Sequence, residues 1–176
     1  MNLKLKRTPG LYVVGFMAAG KTTVGRHLAH GLGWNFFDTD QEIERAEGCT
    51  IADLFDQRGE AEFRRIESAI VRQHVGWIER GRPTVLALGG GAFADPANRQ
   101  FLEPNGITIW LDCPFATVQR RVAQNPDRPL ARDPARFAAL FESRREAYRL
   151  ANVHVTIESD DPEVTVAAIL QHPVLQ

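Results

Sequence analysis

The stretch Gly15-Phe16-Met17-Ala18-Ala19-Gly20-Lys21-Thr22 has the spacing G-x-x-x-x-G-K-[ST] of a phosphate-binding loop. The apolar residues 11–14 before it predict a strand, and residues 21–32 after it predict a helix. In that context the backbone N–H groups of the loop and the N-terminus of the helix point at an anion. We expect Lys21 to reach the outer phosphates of a nucleotide, and the hydroxyl of Thr22 to bind Mg²⁺. The alternative is a glycine-rich turn that binds no ligand.

The bulk composition is that of one soluble globular domain spanning residues 1–176, with 44% apolar and 24% charged residues. The net charge of −1 gives no sign of a surface for nucleic acid or membrane, so we expect neither as a partner. The sequence has no run of 18 apolar residues, and residues 1–7 lead into no secretory signal. Cys49 and Cys113 are isolated, which favours reduced thiols in a cytoplasmic protein.

Short apolar runs alternate with longer periodic segments along the chain. The runs predict strands at residues 11–16, 35–38, 84–88, 107–111 and 153–157. The periodic segments predict helices at residues 21–32, 41–47, 51–57, 60–80, 98–103, 114–125, 134–148 and 163–172. This alternation indicates an α/β fold, a parallel sheet with helices on both faces. Such sheets bind ligands at the carboxyl ends of their strands, so the residues that follow each strand are the functional candidates.

Two carboxylates, Asp38 and Asp40, end the second predicted strand. Mg²⁺ keeps several of its waters in proteins, so we expect Asp38 to bind it through one of them, beside Thr22. Asp40 lies further out, where it can bind an acceptor hydroxyl and receive its proton. The competing role for Asp40 is the N-cap of the helix at 41–47, and the two roles can coexist.

Arg64 and Glu67 are three residues apart on a long predicted helix and therefore share a face. A guanidinium held by Glu67 can present its fork to a substrate carboxylate. The alternative is an ion pair in solvent, which has no functional role.

Three consecutive glycines, Gly89-Gly90-Gly91, follow the third predicted strand. The absence of side chains there indicates that another group approaches the backbone closely. We expect the free N–H groups to bind a carboxylate or a hydroxyl, although a simple turn leaving the strand is the alternative.

A loop rich in Pro, Asp and Arg, at about residues 125–134, separates two predicted helices. It carries Arg128, which makes it a candidate lid that stabilises the charge of a transferring phosphoryl group. The alternative is a plain surface loop. Asp112 ends the fourth predicted strand, and we interpret it as the cap of the helix that follows.

Taken together, these motifs resemble the shikimate kinase family over almost the whole chain. The resemblance rests on residues 15–25, on Asp38-Thr39-Asp40, on residues 59–67, on the three glycines, on Arg128-Pro129-Leu130, and on Arg144 four residues before Tyr148. It implies a three-layer P-loop kinase fold, similar to nucleoside monophosphate kinases, with five parallel strands in the order 2-3-1-4-5 and a lid. It also implies transfer of the ATP γ-phosphoryl group to the 3-hydroxyl of shikimate, with Mg²⁺, by a monomeric cytoplasmic enzyme.

The resemblance also implies roles for individual residues, with an acceptor-binding region at about residues 39–68. Lys21, Asp40 and Arg128 are the expected catalytic residues. Thr22 would bind Mg²⁺ directly and Asp38 through water, and residues 158–162 would form an adenine loop. The expected nucleotide-binding residues are Ala18, Ala19, Gly20, Lys21, Thr22, Thr23, Arg121 and Arg128, and the expected shikimate-binding residues are Asp40, Arg64, Gly89, Gly90, Gly91 and Arg144.

Three positions depart from the family pattern: Ala18 replaces a common glycine, Leu88 a frequent small hydroxyl residue, and Ala131 a common leucine. Because alanine has little freedom at positive φ, we expect an ordinary backbone conformation at Ala18. Two other functions are a kinase acting on gluconate and a non-catalytic nucleotide-binding module. The acceptor set argues against the first, and the metal and lid residues argue against the second.

Overall fold

The structure is a computed structural model that describes residues 10–124 and 133–176. Five parallel strands form one sheet in the order β2-β3-β1-β4-β5, which confirms the predicted order and the predicted fold class. The strands are β1 (Gly10–Val14), β2 (Asn35–Asp38), β3 (Thr84–Ala87), β4 (Gly106–Asp112) and β5 (Val153–Thr156).

The described residues form seven α-helices. These are α1 (Lys21–Leu32), α2 (Thr39–Glu47), α3 (Ile51–Glu79), α4 (Pro96–Leu102), α5 (Phe115–Ala123), α6 (Pro134–Tyr148) and α7 (Pro162–Gln171). Helix α1 packs against α7, and α3 packs against α4. Since crossovers between parallel strands are right-handed, this strand order places α1 on one face of the sheet and α3, α4 and α6 on the other. The predicted lid residues 125–132, including Arg128 and Ala131, lie outside the described residues.

The β1 strand is the centre of the core, because every one of its residues is buried between the two helical layers. Its register pairs Val13 with Ala87 on β3, and Ala87 pairs in turn with Asp38 on β2. The carboxyl ends of these three strands are therefore level. This brings together the phosphate-binding loop after β1, the carboxylates at the end of β2 and the glycines after β3.

The helix α3 bends at Gly59, whose φ of 80° and ψ of 170° interrupt the helical backbone. The sequence analysis predicted two helices separated at this point, and the bend confirms that break. Ile43, Leu54, Phe63 and Ile66 form a small second core, which fixes α2 against both halves of α3.

The cap role given to Asp40 as an alternative and the cap predicted at Asp112 are both wrong. The N-cap of α2 is Asp38 rather than Asp40, since its carboxylate accepts hydrogen bonds from the backbone N–H groups of Asp40 and Gln41. Asp112 does not cap α5, whose N-cap is Pro114 without a side-chain hydrogen bond. Asp112 instead forms an ion pair with Arg145 of α6, 33 residues away, a contact that local spacing does not reveal. Within residues 10–124 and 133–176, no helix is long and apolar enough to cross a membrane.

Candidate active site

The phosphate-binding loop turns tightly between β1 and α1. The backbone N–H of Ala19 donates to the carbonyl of Phe16 at 3.2 Å, and Gly20 begins the helix with a φ of 93°. Nζ of Lys21 donates to the same Phe16 carbonyl at 2.9 Å. The ammonium group therefore lies across the loop, beside a cavity of about 300 Å³ that Thr22, Asp38, Asp40 and Gly90 help to line.

Ala18 has a φ of 60°, the left-handed conformation, so the expectation of an ordinary backbone there is wrong. It is the one non-glycine residue with positive φ in the described parts of the chain. Left-handed backbone costs an L-residue roughly 1–2 kcal/mol. Nη1 of Arg121 donates to the Ala18 carbonyl at 2.8 Å, and this contact from α5 helps to hold the strained turn.

The predicted metal-binding pair is assembled at the end of β2. Oγ1 of Thr22 donates to Oδ2 of Asp38 at 2.5 Å, while Oδ1 of Asp38 caps α2. One carboxylate thus joins the first turn of α1 to α2. A hydroxyl and a carboxylate oxygen at the phosphate cavity suit Mg²⁺, which binds oxygen ligands and keeps several waters. Among the described residues there is no cluster of three His, Cys, Asp or Glu side chains that would hold a metal by protein ligands alone.

A second cavity of about 240 Å³ opens next to the phosphate cavity, and Asp40 lines both. Its charged lining consists of Asp40, Arg64, Glu67 and Arg144. Nη1 of Arg64 donates to Oε1 of Glu67 at 2.7 Å, and the Glu67 side chain is only 1% exposed. The alternative of an ion pair in solvent is therefore wrong. The apolar lining consists of Phe16, Met17, Ile51, Phe55, Phe63 and Leu140.

Two of the three glycines, Gly89 and Gly91, leave room for charged side chains of the protein itself. A Cβ at Gly89 would lie 2.6 Å from Oδ1 of Asp40 and 2.9 Å from Oε2 of Glu67. A Cβ at Gly91 would lie 2.5 Å from Nη2 of Arg64. The predicted close approach to this backbone is confirmed. The groups that make this approach are Asp40, Glu67 and Arg64 of the protein itself. The expectation of a free N–H group is wrong at Gly89, which donates to Oγ1 of Thr39 at 2.8 Å.

Burial dominates the electrostatics of the two carboxyl groups in this cavity. The pKa of Asp40 is raised, first by burial and then by the negative charge of Asp38, against the opposing charges of Lys21 and Arg64. Burial also raises the pKa of Glu67, and Arg64 opposes it. Oε2 of Glu67 is buried and has no hydrogen-bond partner among the described residues.

A third cavity, of about 360 Å³, adjoins the outer side of the loop. Five of the eight residues that are expected to bind the nucleotide lie in its lining, namely Ala18, Ala19, Gly20, Thr23 and Arg121. The loop after β5 contributes Ser159 and Asp160. Nη2 of Arg121 lies 2.7 Å from Oδ1 of Asp160, and this hydrogen bond, together with the charge of Arg120, lowers the pKa of Asp160.

The sequence analysis assigned no role to two groups that build the site. The hydroxyl of Tyr148, a buried residue at the end of α6, donates to the carbonyl of Gly90 at 2.5 Å and fixes the glycine turn. The ring of Phe16 packs on Phe137 and Phe141 of α6, with centroids 5.4 Å and 5.2 Å apart. The only sequence signal for a role of Tyr148 was its position four residues after Arg144. The partner of each group is distant in sequence, so no local pattern indicated these contacts.

Comparisons with known proteins are consistent with this arrangement. A protein-family model described as "Shikimate kinase" matches residues 17–173. The shikimate kinase of Persephonella marina is 39% identical over 161 residues, which cover 91% of this chain and 96% of that protein. The shikimate kinase of Synechococcus elongatus is 40% identical over 165 residues, 92% of this chain and 84% of that protein.

Solved structures give the same result. The shikimate kinase from Acinetobacter baumannii, in complex with shikimate, has a TM-score of 0.85 at 36% identity and covers 93% of this chain and 91% of its own. A gluconokinase from Sinorhizobium meliloti has a TM-score of 0.52 at 16% identity, covering 92% of this chain and 90% of its own. That second likeness is one of fold alone.

Proposed function

Because this chain belongs to the shikimate kinase family, we propose roles for its own side chains in the reaction of that family. The protein is an enzyme that transfers the γ-phosphoryl group of ATP to the 3-hydroxyl of shikimate, giving shikimate 3-phosphate and ADP, with Mg²⁺ as cofactor. One observation carries the assignment of the acceptor site: Arg64, Glu67, Asp40 and Arg144 line a single cavity that adjoins the phosphate-binding loop.

In the acceptor cavity, Arg64 and Arg144 bind the carboxylate of shikimate. Buried Glu67 holds the Arg64 guanidinium in place, so that its remaining donors are oriented before the substrate arrives. The apolar side chains support the carbon ring, and the backbone of Gly90 and Gly91 lines the cavity beside it. A cavity of about 240 Å³ suits a small hydroxylated ring acid.

The transfer itself depends on Asp40, Lys21 and Arg128. Asp40 lines both cavities and accepts a hydrogen bond from the attacking hydroxyl, whose proton it can receive. Lys21 and the N–H groups of the loop stabilise the charge on the transferring oxygens. Arg128, in the residues outside the described parts of the chain, is proposed to add a further positive charge from the lid at about residues 125–134.

The hydroxyl of Thr22 and the carboxylate of Asp38 are oxygen ligands of the kind that Mg²⁺ binds. We propose that Thr22 holds the metal directly and that Asp38 holds it through a water. Their oxygens are already 2.5 Å apart at the phosphate cavity. When bound there, Mg²⁺ neutralises charge on the phosphates of the nucleotide. The second carboxylate oxygen of Asp38 accepts hydrogen bonds from the first turn of α2. The same carboxylate therefore connects the proposed metal site to the helix that carries Asp40.

On the outer side of the loop, we propose that Arg121 stacks on the adenine ring and that residues 158–162 flank it. Ala18, Ala19, Gly20 and Thr23 line the path from that cavity to the phosphates. We also propose that the chain functions as one domain, as a monomer and in the cytoplasm. Light scattering during size-exclusion chromatography tests the monomer, because a molecular mass near twice 19.7 kDa would contradict it.

Isothermal titration of shikimate tests the acceptor site, with Arg64→Ala compared against Arg65→Ala. Arg65 is the neighbouring residue on the same helix, pairs with Glu62 and is exposed, so it is a matched control. We expect Arg64→Ala to weaken shikimate binding by on the order of a hundredfold, since a charged pair to the substrate carboxylate is lost. Arg65→Ala should bind like the wild type. Equal affinities of the two variants would refute the assignment of Arg64.

A further inference from the structure

Arg144 and Arg145 are adjacent residues on α6, and their side chains contact different parts of the structure. Arg144 lines the acceptor cavity. Arg145 reaches the end of β4, where its Nη2 lies 3.4 Å from Oδ2 of Asp112. Neither Asp112 nor Arg145 lines the nucleotide, phosphate or acceptor cavity described above.

Two aromatic rings hold the guanidinium of Arg145. Its central carbon lies 5.4 Å from the ring centroid of Trp110 and 5.6 Å from that of Phe141. The side chains of Arg145 and Asp112 are 28% and 23% exposed, so this pair is partly shielded from solvent. Contacts with two rings and partial burial restrict the geometry of this ion pair more than an open surface restricts an exposed pair.

The geometry of α6 links this contact to the acceptor cavity. Phe137, Phe141 and Tyr148 are the buried residues of the helix and form one stripe towards the sheet. At 100° per residue, Arg144 and Arg145 project from opposite sides of that stripe. Any rotation of the helix about its axis that withdraws Arg145 from Asp112 also turns Arg144 relative to the cavity.

The sheet side of this contact is rigid. Trp110 and Asp112 belong to β4, which pairs with β1 directly before the phosphate-binding loop. The carbonyl of Leu111 lies so close to Gly15 that a Cβ there would come within 2.9 Å of it. The end of β4 is therefore a fixed reference point next to the site of phosphoryl transfer.

We propose that Arg145 is a positioning residue, whose ion pair with Asp112 fixes the rotation of α6 and thereby directs Arg144 into the acceptor cavity. The proposal rests on the role of Arg144 in binding the acceptor. It assigns a function to a pair that touches neither substrate. Because Arg144 is the residue that it positions, its effect should fall mainly on the acceptor.

The test is steady-state kinetics of Arg145→Met, Asp112→Asn and the double variant. Methionine keeps an apolar stem between the two rings, and asparagine keeps the shape of the aspartate. We expect KM for shikimate to rise on the order of fivefold to tenfold in each single variant, with the double variant no worse than either. KM for ATP and the melting temperature should stay close to the wild type. Arg145→Lys, which keeps the charge, should recover part of the loss.

Arg149→Met is the matched control, since Arg149 is exposed near the end of α6 and pairs with Glu146. It should leave both KM values unchanged. The proposal is overturned if Arg145→Met and Asp112→Asn leave KM for shikimate unchanged, if their effects add in the double variant, or if KM for ATP rises equally. Arg144→Met separates two kinds of failure: if it raises KM for shikimate and Arg145→Met does not, only the positioning role fails. If Arg144→Met has no effect, the acceptor assignment fails as well.

Discussion

The guanidinium of Arg64 lies against Gly91 so closely that a Cβ on Gly91 would come within 2.5 Å of Nη2. The backbone of Gly91, with a φ of −97°, accepts any residue. Glycine is therefore required here for space and not for conformation. The position of the Arg64 guanidinium, which is proposed to bind the acceptor carboxylate, therefore depends on the absence of a Cβ at Gly91.

Gly91→Ala should consequently displace Arg64 and raise KM for shikimate by on the order of tenfold, with KM for ATP nearly unchanged. Gly76→Ala is the control, because a Cβ at Gly76 meets no atom within 4 Å. An unchanged KM for shikimate in Gly91→Ala would contradict the close contact.

The strained turn at Ala18 predicts that Ala18→Gly makes the protein more stable. Glycine adopts a φ of 60° without the left-handed penalty, although its more flexible unfolded chain offsets part of the gain. We expect urea unfolding to show a gain of up to about 1 kcal/mol in the free energy of unfolding. Ala19→Gly, at a buried neighbour without positive φ, should instead lower stability. A loss in both variants would show that the turn is not strained.

Buried His74 predicts a loss of stability in acid. Its ring lies between Phe37 and Trp77, both of its nitrogens lack hydrogen-bond partners in the described residues, and Oε2 of Glu42 is 3.8 Å from Nε2. Burial lowers the pKa of His74, with Glu42 opposing. The unfolded chain therefore binds more protons at this residue, and the free energy of unfolding falls as the pH drops through the ordinary histidine value of about 6.5.

Urea titrations between about pH 7.5 and pH 5.5 measure this effect, with His74→Leu as the comparison. The wild type should lose more stability over that interval than the variant does. An equal loss in both proteins would show that a group other than His74 causes the loss of stability in acid.

Lys21→Ala should lower kcat by at least about a hundredfold, because the ammonium group is proposed to stabilise charge that develops during transfer. Arg26→Ala, at an exposed cation on the same helix, is the control and should retain kcat. The release of ADP under saturating shikimate and ATP measures both values. A near-normal kcat in Lys21→Ala would show that Lys21 does not contribute to the transfer step.

The strands and the positions of the site residues could be predicted from short-range patterns, because apolar runs, glycines and spaced charges are local signals. The conformation of Ala18 could not, since the Arg121 contact that helps to hold it comes from 103 residues away in the sequence. The pairing of Asp112 with Arg145 could not be predicted for the same reason, because the two residues are distant in the sequence. The position of Asp112 just before a predicted helix favoured a helix cap instead. The family resemblance supplied what no local pattern contains, namely the strand order and the identity of the acceptor.

The central claim is that this site phosphorylates shikimate, and an ADP-release assay on the purified protein tests it most directly. The assay contains ATP and Mg²⁺ and compares shikimate with gluconate, in the wild type and in Arg64→Ala. We predict that the wild type turns over ATP with shikimate and does not do so with gluconate. At low shikimate concentration, turnover should be much slower in Arg64→Ala than in the wild type. Turnover with gluconate alone, or ADP release that does not depend on any acceptor, would contradict the account.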